Sequence, residues 1–373
     1  MHAPLTNVSQ YMAAFASKIW HQDGSLQTYL DFLLTEIDPM FSLKRNAAEV
    51  IKIITETADT KTFILRPSSR WLGFNPGQYI NIEVEINGVT IRRNYSISSS
   101  PKMFNEQQLI SITVKKIDGG RVSTHLHERL TVGDIITIGD AGGDFTLDHS
   151  ITISPDACPL FIAAGSGITP VMSMLNKLKD DGFSAPITLI YYSNNAQSVI
   201  FDQSLKALAT SMPNVSINPH FSESEGYISE QQLLLDCPNI AKRAIYLCGP
   251  QAFMASVQSH CQQIGVPTNN ILQESFGVPI HSNLKSSTKG QVNFLRSGKH
   301  IQSNGDKTLL ELAEAAGLKP KYGCRSGICH ECKCTKNTGR VLNKLTGELT
   351  PIDQTHVQTC ISIPVGDVSI ENL

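Results

Sequence analysis

The chain has 373 residues, 41% of them apolar and 17% charged, with 31 Lys and Arg against 33 Asp and Glu for a formal net charge of −2. That length accommodates two or three domains, and that composition excludes wholesale disorder, a collagen-like repeat and a pure coiled coil. The near-neutral balance excludes the phosphate-neutralising basic face of sequence-independent nucleic-acid binding, and no apolar run approaches the roughly 18 residues of a membrane span.

Residues 1–46 carry Tyr11, Phe15 and Ile19, then Leu30, Phe32, Leu33 and Leu34, at helical spacing before Pro39, which predicts a helical N-terminal extension. The first seven residues lack the basic patch and apolar stretch of a secretory signal, so a cytoplasmic location is expected, with peripheral association at the inner face of a membrane left to a partner. From 47 to 153 short alternating stretches (50–54, 62–65, 78–84, 109–115, 134–138) are separated by turn signals such as Asn75-Pro76-Gly77. Their spacing predicts a small antiparallel β-barrel. From 154 to 280 apolar strands at 160–164, 187–192, 244–248 and 271–273 alternate with helical stretches at 171–178, 203–208 and 252–264. That pattern predicts an α/β domain built on a doubly wound parallel sheet. The Ser-rich stretch 281–290 reads as a polar linker, and 291–373 as an α+β domain with one helix at 309–316.

Nine cysteines, an odd number in a chain without a signal, argue against a disulfide framework. Cys324-x4-Cys329-x2-Cys332 is followed by Cys360 after 27 intervening residues. Four thiolates at the plant-type ferredoxin spacing supply two sulfurs to each iron of a [2Fe-2S] cluster. Structural zinc uses paired Cys-x2-Cys knuckles, and only one such pair occurs here. The small residues of the loop Arg325-Ser326-Gly327-Ile328 let backbone N–H groups reach the cluster sulfurs. Cys334 reads as a small buried thiol rather than a ligand.

Two further constellations carry chemistry. Arg93-Asn94-Tyr95-Ser96, on a predicted barrel strand, offers a cation for a flavin phosphate, a ring beside the isoalloxazine and a hydroxyl for its N5. Gly119-Gly120-Arg121-Val122-Ser123 then opens a predicted helix at 124–130, whose N-terminal N–H groups suit a pyrophosphate. After strand 160–164 comes Gly165-Ser166-Gly167-Ile168-Thr169-Pro170, in which Pro170 replaces the third glycine of the usual dinucleotide fingerprint. Tyr246-Leu247-Cys248-Gly249-Pro250 ends a later strand, so a parallel sheet would bring both turns to its carboxyl edge. His125-x-His127 is the nearest approach to a histidine cluster and reads as a helix surface, so no oxygen-activating metal site is evident.

In this order, over about residues 48–373, these motifs resemble the ferredoxin–NADP⁺ reductase superfamily in its subgroup with a C-terminal plant-type ferredoxin domain of β-grasp fold. The resemblance implies that Arg93, Tyr95 and Ser96 hold the flavin and that Gly120, Val122 and Ser123 hold its phosphates. It implies that Gly165, Gly167 and Thr169 flank a nicotinamide nucleotide, with Cys248 and Gly249 near its ring. Phe276 would stack by the flavin, with core packing as the alternative. Ser96, Cys248 and Phe276 are thereby the expected catalytic residues, and Cys324, Cys329, Cys332 and Cys360 the metal ligands. Tyr95-Ser96-Ile97-Ser98-Ser99 with the Gly-Gly-Arg-Val-Ser-Thr stretch is similar to the FAD-binding branch rather than the FMN-binding one. The extension and the cysteine segment are similar to bacterial NADPH-dependent reductases that feed membrane-bound fatty-acyl desaturases. The expected function is electron transfer from NADPH through FAD and a [2Fe-2S] cluster to a desaturase. A Rieske oxygenase, a hydroxylase or a hybrid-cluster protein is the alternative acceptor, and redox sensing a remote alternative. The donor rests on the resemblance alone, because Ser193-Asn194-Asn195-Ala196-Gln197 after strand 187–192 carries neither an acid nor an arginine, which leaves NADH open.

Overall fold

The computed structural model describes residues 31, 33–35, 39–42, 45–86, 88–147, 158–276, 288–322, 327, 332–344 and 347–371. Tyr11, Phe15 and Ile19 of the extension and residues 277–287, which hold most of the expected linker, lie outside them.

Period-2 alternation builds the first sheet from β1 (Asn46–Thr57), β2 (Thr60–Pro67), β3 (Tyr79–Ile86), β4 (Val89–Ser96), β5 (Ile110–Lys115) and β6 (Ile135–Ile138). Their order is β4-β3-β6-β1-β2-β5, every pairing antiparallel. Inward side chains such as Val50, Phe63, Leu65, Ile80, Ile82, Ile91 and Ile112 are buried in one core. The outer strands meet where Ile97 bridges to Ile112 and Ser98 N donates to Ser111 O over 2.8 Å, closing the sheet into the expected barrel. Helix α1 (Pro101–Gln107) is too short to leave a periodic signal, and Pro101 sits in its first turn, where no amide partner is lost. Helix α2 (Arg121–Glu128) starts before the predicted 124, directly on the glycine turn, and buries Val122 and Leu126. His127 is more than a surface residue: its Nε2 lies 2.8 Å from Val114 O, and its ring meets Phe63 edge-on.

The second sheet is parallel throughout, in the order β11-β10-β7-β8-β9. Its strands are β7 (Pro159–Ala164), β8 (Ile187–Ser193), β9 (Val215–Phe221), β10 (Ala244–Cys248) and β11 (Ile271–Glu274). Helices α3 (Ile168–Asp180), α4 (Asp202–Ser211), α5 (Ser222–Glu225), α6 (Glu230–Asp236) and α7 (Gln251–Ile264) connect them. Alternate residues of β7 feed separate cores on its two faces, Phe161 with Val171 and Leu175, and Leu160 and Ile162 with Val257. Strand β9 was not expected, since Asn218, Pro219 and His220 interrupt its apolar run; it is an edge strand, where a proline costs no ladder bond. The barrel and this sheet are joined by buried contacts, including Ser173 Oγ donating to Ser99 O over 2.6 Å.

The third sheet, in the order β13-β12-β16-β14-β15, is mixed. It comprises β12 (Gly290–Phe294), β13 (Lys299–Ser303), β14 (Lys333–Asn343), β15 (Thr355–Gln358) and β16 (Ser362–Ile370). β12 runs parallel to β16, with Val292 opposite Val368, and the other pairings are antiparallel. Helix α8 (Leu309–Ala315) packs Leu309 and Leu312 onto this sheet. A capping box starts it: Glu311 N donates to Thr308 Oγ1 over 3.3 Å and Thr308 N to Glu311 Oε2 over 2.8 Å. The fold is thus the expected series of antiparallel barrel, doubly wound parallel sheet and α+β domain. Among the described residues no helix is long and apolar enough to cross a membrane.

Candidate functional site

At the carboxyl edge of the parallel sheet, β7 and β10 are neighbours, with Ala163 opposite Cys248. The chain leaves β7 through Gly165, at φ +54°, and a single 3₁₀ turn into α3. A Cβ on Gly167 would lie 2.2 Å from Cys248 O and 2.5 Å from its carbonyl carbon, so the two turns pack backbone against backbone and only glycine fits. Thr169 Oγ1 donates to Ser166 O over 2.9 Å and Tyr191 Oη to Gly165 O over 3.1 Å, which fixes the turn from both sides. The structure therefore brings Gly165, Gly167, Thr169, Cys248 and Gly249 together at one edge. Burial, and then the neighbouring Glu274, hold the Cys248 thiol well above its ordinary pKa, so it is a neutral thiol and not a nucleophile.

Glu274 ends β11 directly opposite Cys248. Its Oε2 is buried with no hydrogen-bond partner in the protein, and burial pushes its carboxyl up to about 8. Ser96 Oγ, at the end of β4, is likewise buried and unpartnered. Ser96 pairs across strands with Tyr79. A Cβ on Gly143 would lie 2.9 Å from the Tyr79 ring and 3.7 Å from Glu274 Oε1, so one close approach links the barrel to β11. Buried polar atoms are almost always bonded. Two orphans, a hydroxyl and a carboxyl, fit a ligand with a hydrogen-bonding edge such as an isoalloxazine. Sequence reasoning missed Glu274; its signal was an acid ending an apolar strand at the carboxyl edge.

Arg93 and Tyr95 lie two apart on β4 and so share one face with Ile91. Tyr95 packs on the barrel core, and burial raises its phenol well above the usual range despite Arg93 nearby. Arg93 Nη1 donates to Arg92 O over 2.7 Å. Gly120 precedes α2, and a Cβ there would lie 2.6 Å from Ser123 Oγ and 2.9 Å from Ile117 O. Ser123 Oγ accepts from Ile117 N over 3.2 Å and so holds this turn together. Val122 is buried in the barrel core, which leaves its backbone N–H as what it can offer a phosphate. Phe276, beyond β11, is 45% exposed, so the core-packing alternative does not hold.

In the third domain Cys332 and Cys360 are buried with their sulfurs 3.1 Å apart, among Leu310, Ile361 and Tyr322. Thr359 N and Oγ1 both donate to Cys332 O, over 3.1 and 3.2 Å, which locks the two cysteine segments together. Two thiols this close on separate segments fit two ligands of one iron. Cys324 and Cys329 lie outside the described residues. Between them Gly327 O accepts from Gln358 Nε2 over 2.6 Å, tying their loop to the strand that leads to Cys360. Cys334 is buried in the apolar core with Val292 and Val357.

Three family models match the chain in order. They are the oxidoreductase FAD-binding domain over residues 47–146, the oxidoreductase NAD-binding domain over 161–259 and the 2Fe-2S iron-sulfur cluster binding domain over 292–365. The glycine betaine monooxygenase reductase subunit of Pseudomonas aeruginosa is 30% identical over 356 residues, covering 88% of this chain and 95% of that one. An NADPH oxidoreductase of Mycobacterium tuberculosis is 29% identical over 338 residues, with 90% and 86% covered. The solved structure of phthalate dioxygenase reductase superposes with a TM-score of 0.62 over 87% of this chain and 97% of that one, at 22% identity, a likeness of fold.

Proposed function

Because the chain belongs to the ferredoxin–NADP⁺ reductase superfamily, in its branch with a C-terminal [2Fe-2S] ferredoxin domain, we propose that it is the reductase component of an oxygenase. It is an NAD(P)H-dependent oxidoreductase that uses FAD and a [2Fe-2S] cluster. The observation that carries the proposal is the buried Cys332–Cys360 pair, packed through Tyr322 against the barrel, which gives single electrons an outlet of their own. The likeness to a monooxygenase reductase subunit supports an oxygenase as the acceptor.

When bound, FAD and the cluster together supply the exchange of one hydride for two single electrons. Arg93 would neutralise a flavin phosphate, the Tyr95 ring would lie against the flavin, and Ser96 Oγ would hydrogen-bond it. The N–H groups of Val122 and Ser123 at the start of α2 would meet its phosphates, with Gly120, whose own N–H donates to Ile117 O over 2.8 Å, leaving room for the approach. Glu274, protonated at neutral pH, holds a proton at the barrel–sheet junction. Gly167 and Gly249 let the two turns approach a nicotinamide nucleotide closely, and Cys248 presents it an uncharged thiol. Phe276 offers an exposed ring beyond Glu274 to cover the flavin. Cys324, Cys329, Cys332 and Cys360 would hold the cluster.

A membrane fatty-acyl desaturase is the second reading, favoured by the apolar helical spacing of Tyr11, Phe15 and Ile19. The deciding experiment supplies NAD(P)H and the holoprotein either to a purified Rieske oxygenase with its substrate or to desaturase-containing membranes with a saturated acyl-CoA, each beside a Cys360→Ser control. Cys360-dependent oxygenated product is expected. Cys360-dependent unsaturated product alone would move the acceptor to the second reading. Cytochrome c reduction without either product would remove both acceptors.

A further inference from the structure

Strand β9, hidden in the sequence, delivers an acid to the place where NADH and NADPH are told apart. In a doubly wound sheet the end of the strand after the glycine turn's helix meets the adenosine ribose. A carboxylate there binds the 2′-hydroxyl, and a cation there binds a 2′-phosphate. Here that strand is β8, and its own end, Ser193-Asn194-Asn195, is uncharged. The parallel register sets Ser193 opposite Phe221, so β9 ends level with β8. The turn that follows β9 is laced twice to the turn that follows β8: Glu223 N donates to Asn194 O over 3.1 Å, and Asn195 Nδ2 donates to Glu223 Oε2 over 3.0 Å. An exposed carboxylate is thus held across the sheet at the position left empty of charge by β8 itself.

The segment that builds β8, β9 and the turns after them is poor in cations to balance a phosphate. Between Ile187 and Ala241, Lys206 is the sole Lys or Arg, and its Nζ pairs with Asp202 at 2.7 Å along α4. His220 has both ring nitrogens engaged, Nδ1 with Glu225 Oε2 at 2.8 Å and Nε2 with Asp236 Oδ2 at 2.7 Å, while its face stacks on Tyr192. Both its nitrogens are thus taken up by these carboxylates, and it offers no free donor to a phosphate at the edge. A phosphate monoester carries about −1.5 to −2 charges at neutral pH. Placed beside Glu223 it would be repelled, whereas a sugar hydroxyl could donate to the same carboxylate.

We infer that this protein takes NADH in preference to NADPH, with Glu223, held by Asn195, accepting the ribose 2′-hydroxyl and rejecting a 2′-phosphate. The inference rests on the NAD(P)H-dependent reading above and departs from the NADPH preference that the sequence resemblance implies. It is tested on FAD-loaded protein by flavin bleaching with each reduced nucleotide and by calorimetric titration with NAD⁺ and NADP⁺. NADH is expected to exceed NADPH about tenfold or more in kcat/KM, with NAD⁺ binding tighter in the same sense. Because Glu223 is exposed, the ratio should shrink as salt rises. Glu223→Gln should cut the preference severalfold, and Glu223→Arg should reverse it. Equal use of the two nucleotides, a preference for NADPH, or a ratio that neither variant moves would overturn the inference and leave the reductase reading standing. A flavin bleached by neither nucleotide would overturn both.

Discussion

Arg121 Nη1 donates to the hydroxyl of Tyr322 over 3.1 Å, a hydrogen bond that spans 201 positions and joins the first residue of α2 to the segment entering the cysteine cluster. Tyr322 also packs both on the barrel core and on the group around Cys332 and Cys360. One side chain therefore touches the barrel that would hold the flavin and the pair that would hold the iron.

Removing that contact should separate the two halves of the electron path. Tyr322→Phe loses only a hydrogen bond, worth about 1 kcal/mol, and should slow flavin-to-cluster transfer about fivefold or less. Tyr322→Ala also loses the packing and should slow it by roughly tenfold or more. Stopped-flow traces at flavin and cluster wavelengths check this: flavin bleaching by the nucleotide should keep its rate while cluster reduction lags. Unchanged cluster reduction in Tyr322→Ala would show that the contact does not hold the transferring arrangement.

Glu274 makes stability depend on pH. Its carboxyl titrates near 8 in the fold against 4.5 in the open chain, so between those values the folded state holds a proton that the unfolded state has lost. Its contribution is fully present below about pH 4.5 and is lost as pH rises through about 8, with a slope of ~1.4 kcal/mol per pH unit inside that window. Urea midpoints of the flavin-free protein should fall from pH 6 to pH 8. Glu274→Gln should flatten that fall, and an equal fall in the variant would place the titration elsewhere.

Cys360→Ser should remove the iron and sulfide found by chemical analysis and the visible absorbance of the cluster. FAD content and flavin bleaching should persist, because Cys360 lies in the third domain, apart from Ser96 and Glu274. Cytochrome c reduction should drop by an order of magnitude or more. Retained iron at the wild-type ratio would exclude Cys360 as a ligand.

Gly167→Ala puts a methyl group 2.2 Å from Cys248 O, a contact with backbone on a second strand that cannot swing aside. Overpacking of this kind costs about 1–3 kcal/mol. The nucleotide KM should rise at least severalfold, as the two turns are forced apart. Ala at Gly182, whose Cβ would meet open space, serves as the comparison. Its positive φ of 67° carries a backbone penalty alone, so it should leave KM as it is.

The series of FAD, nucleotide and [2Fe-2S] domains was legible because each is marked by rare residues in a fixed order along the chain. The spacing of Cys324, Cys329, Cys332 and Cys360 and the Arg93-Asn94-Tyr95-Ser96 stretch are local patterns, and local patterns survive in one dimension. Glu274 and Glu223 were not legible for the opposite reason. Glu274 becomes unusual only when parallel pairing sets it against Cys248 and buries it. Glu223 matters only because β9 runs beside β8, and Pro219 masks that strand in the sequence. The acceptor was the weakest reading, since what distinguishes a desaturase from an oxygenase lies on the partner.

The parallel pairing of β12 with β16 has a mechanical consequence. Chain tension entering the third domain at Gly290 pulls along β12, whose parallel ladder to β16 lies side by side with the direction of pull. Those bonds are loaded in shear and must give way together, whereas a hairpin pulled open from one end unzips bond by bond. The same two strands lie in the sheet that carries Cys332 and Cys360 at its margin. A tug from the neighbouring domains would therefore reorient the whole unit before it strained the distance between those two sulfurs.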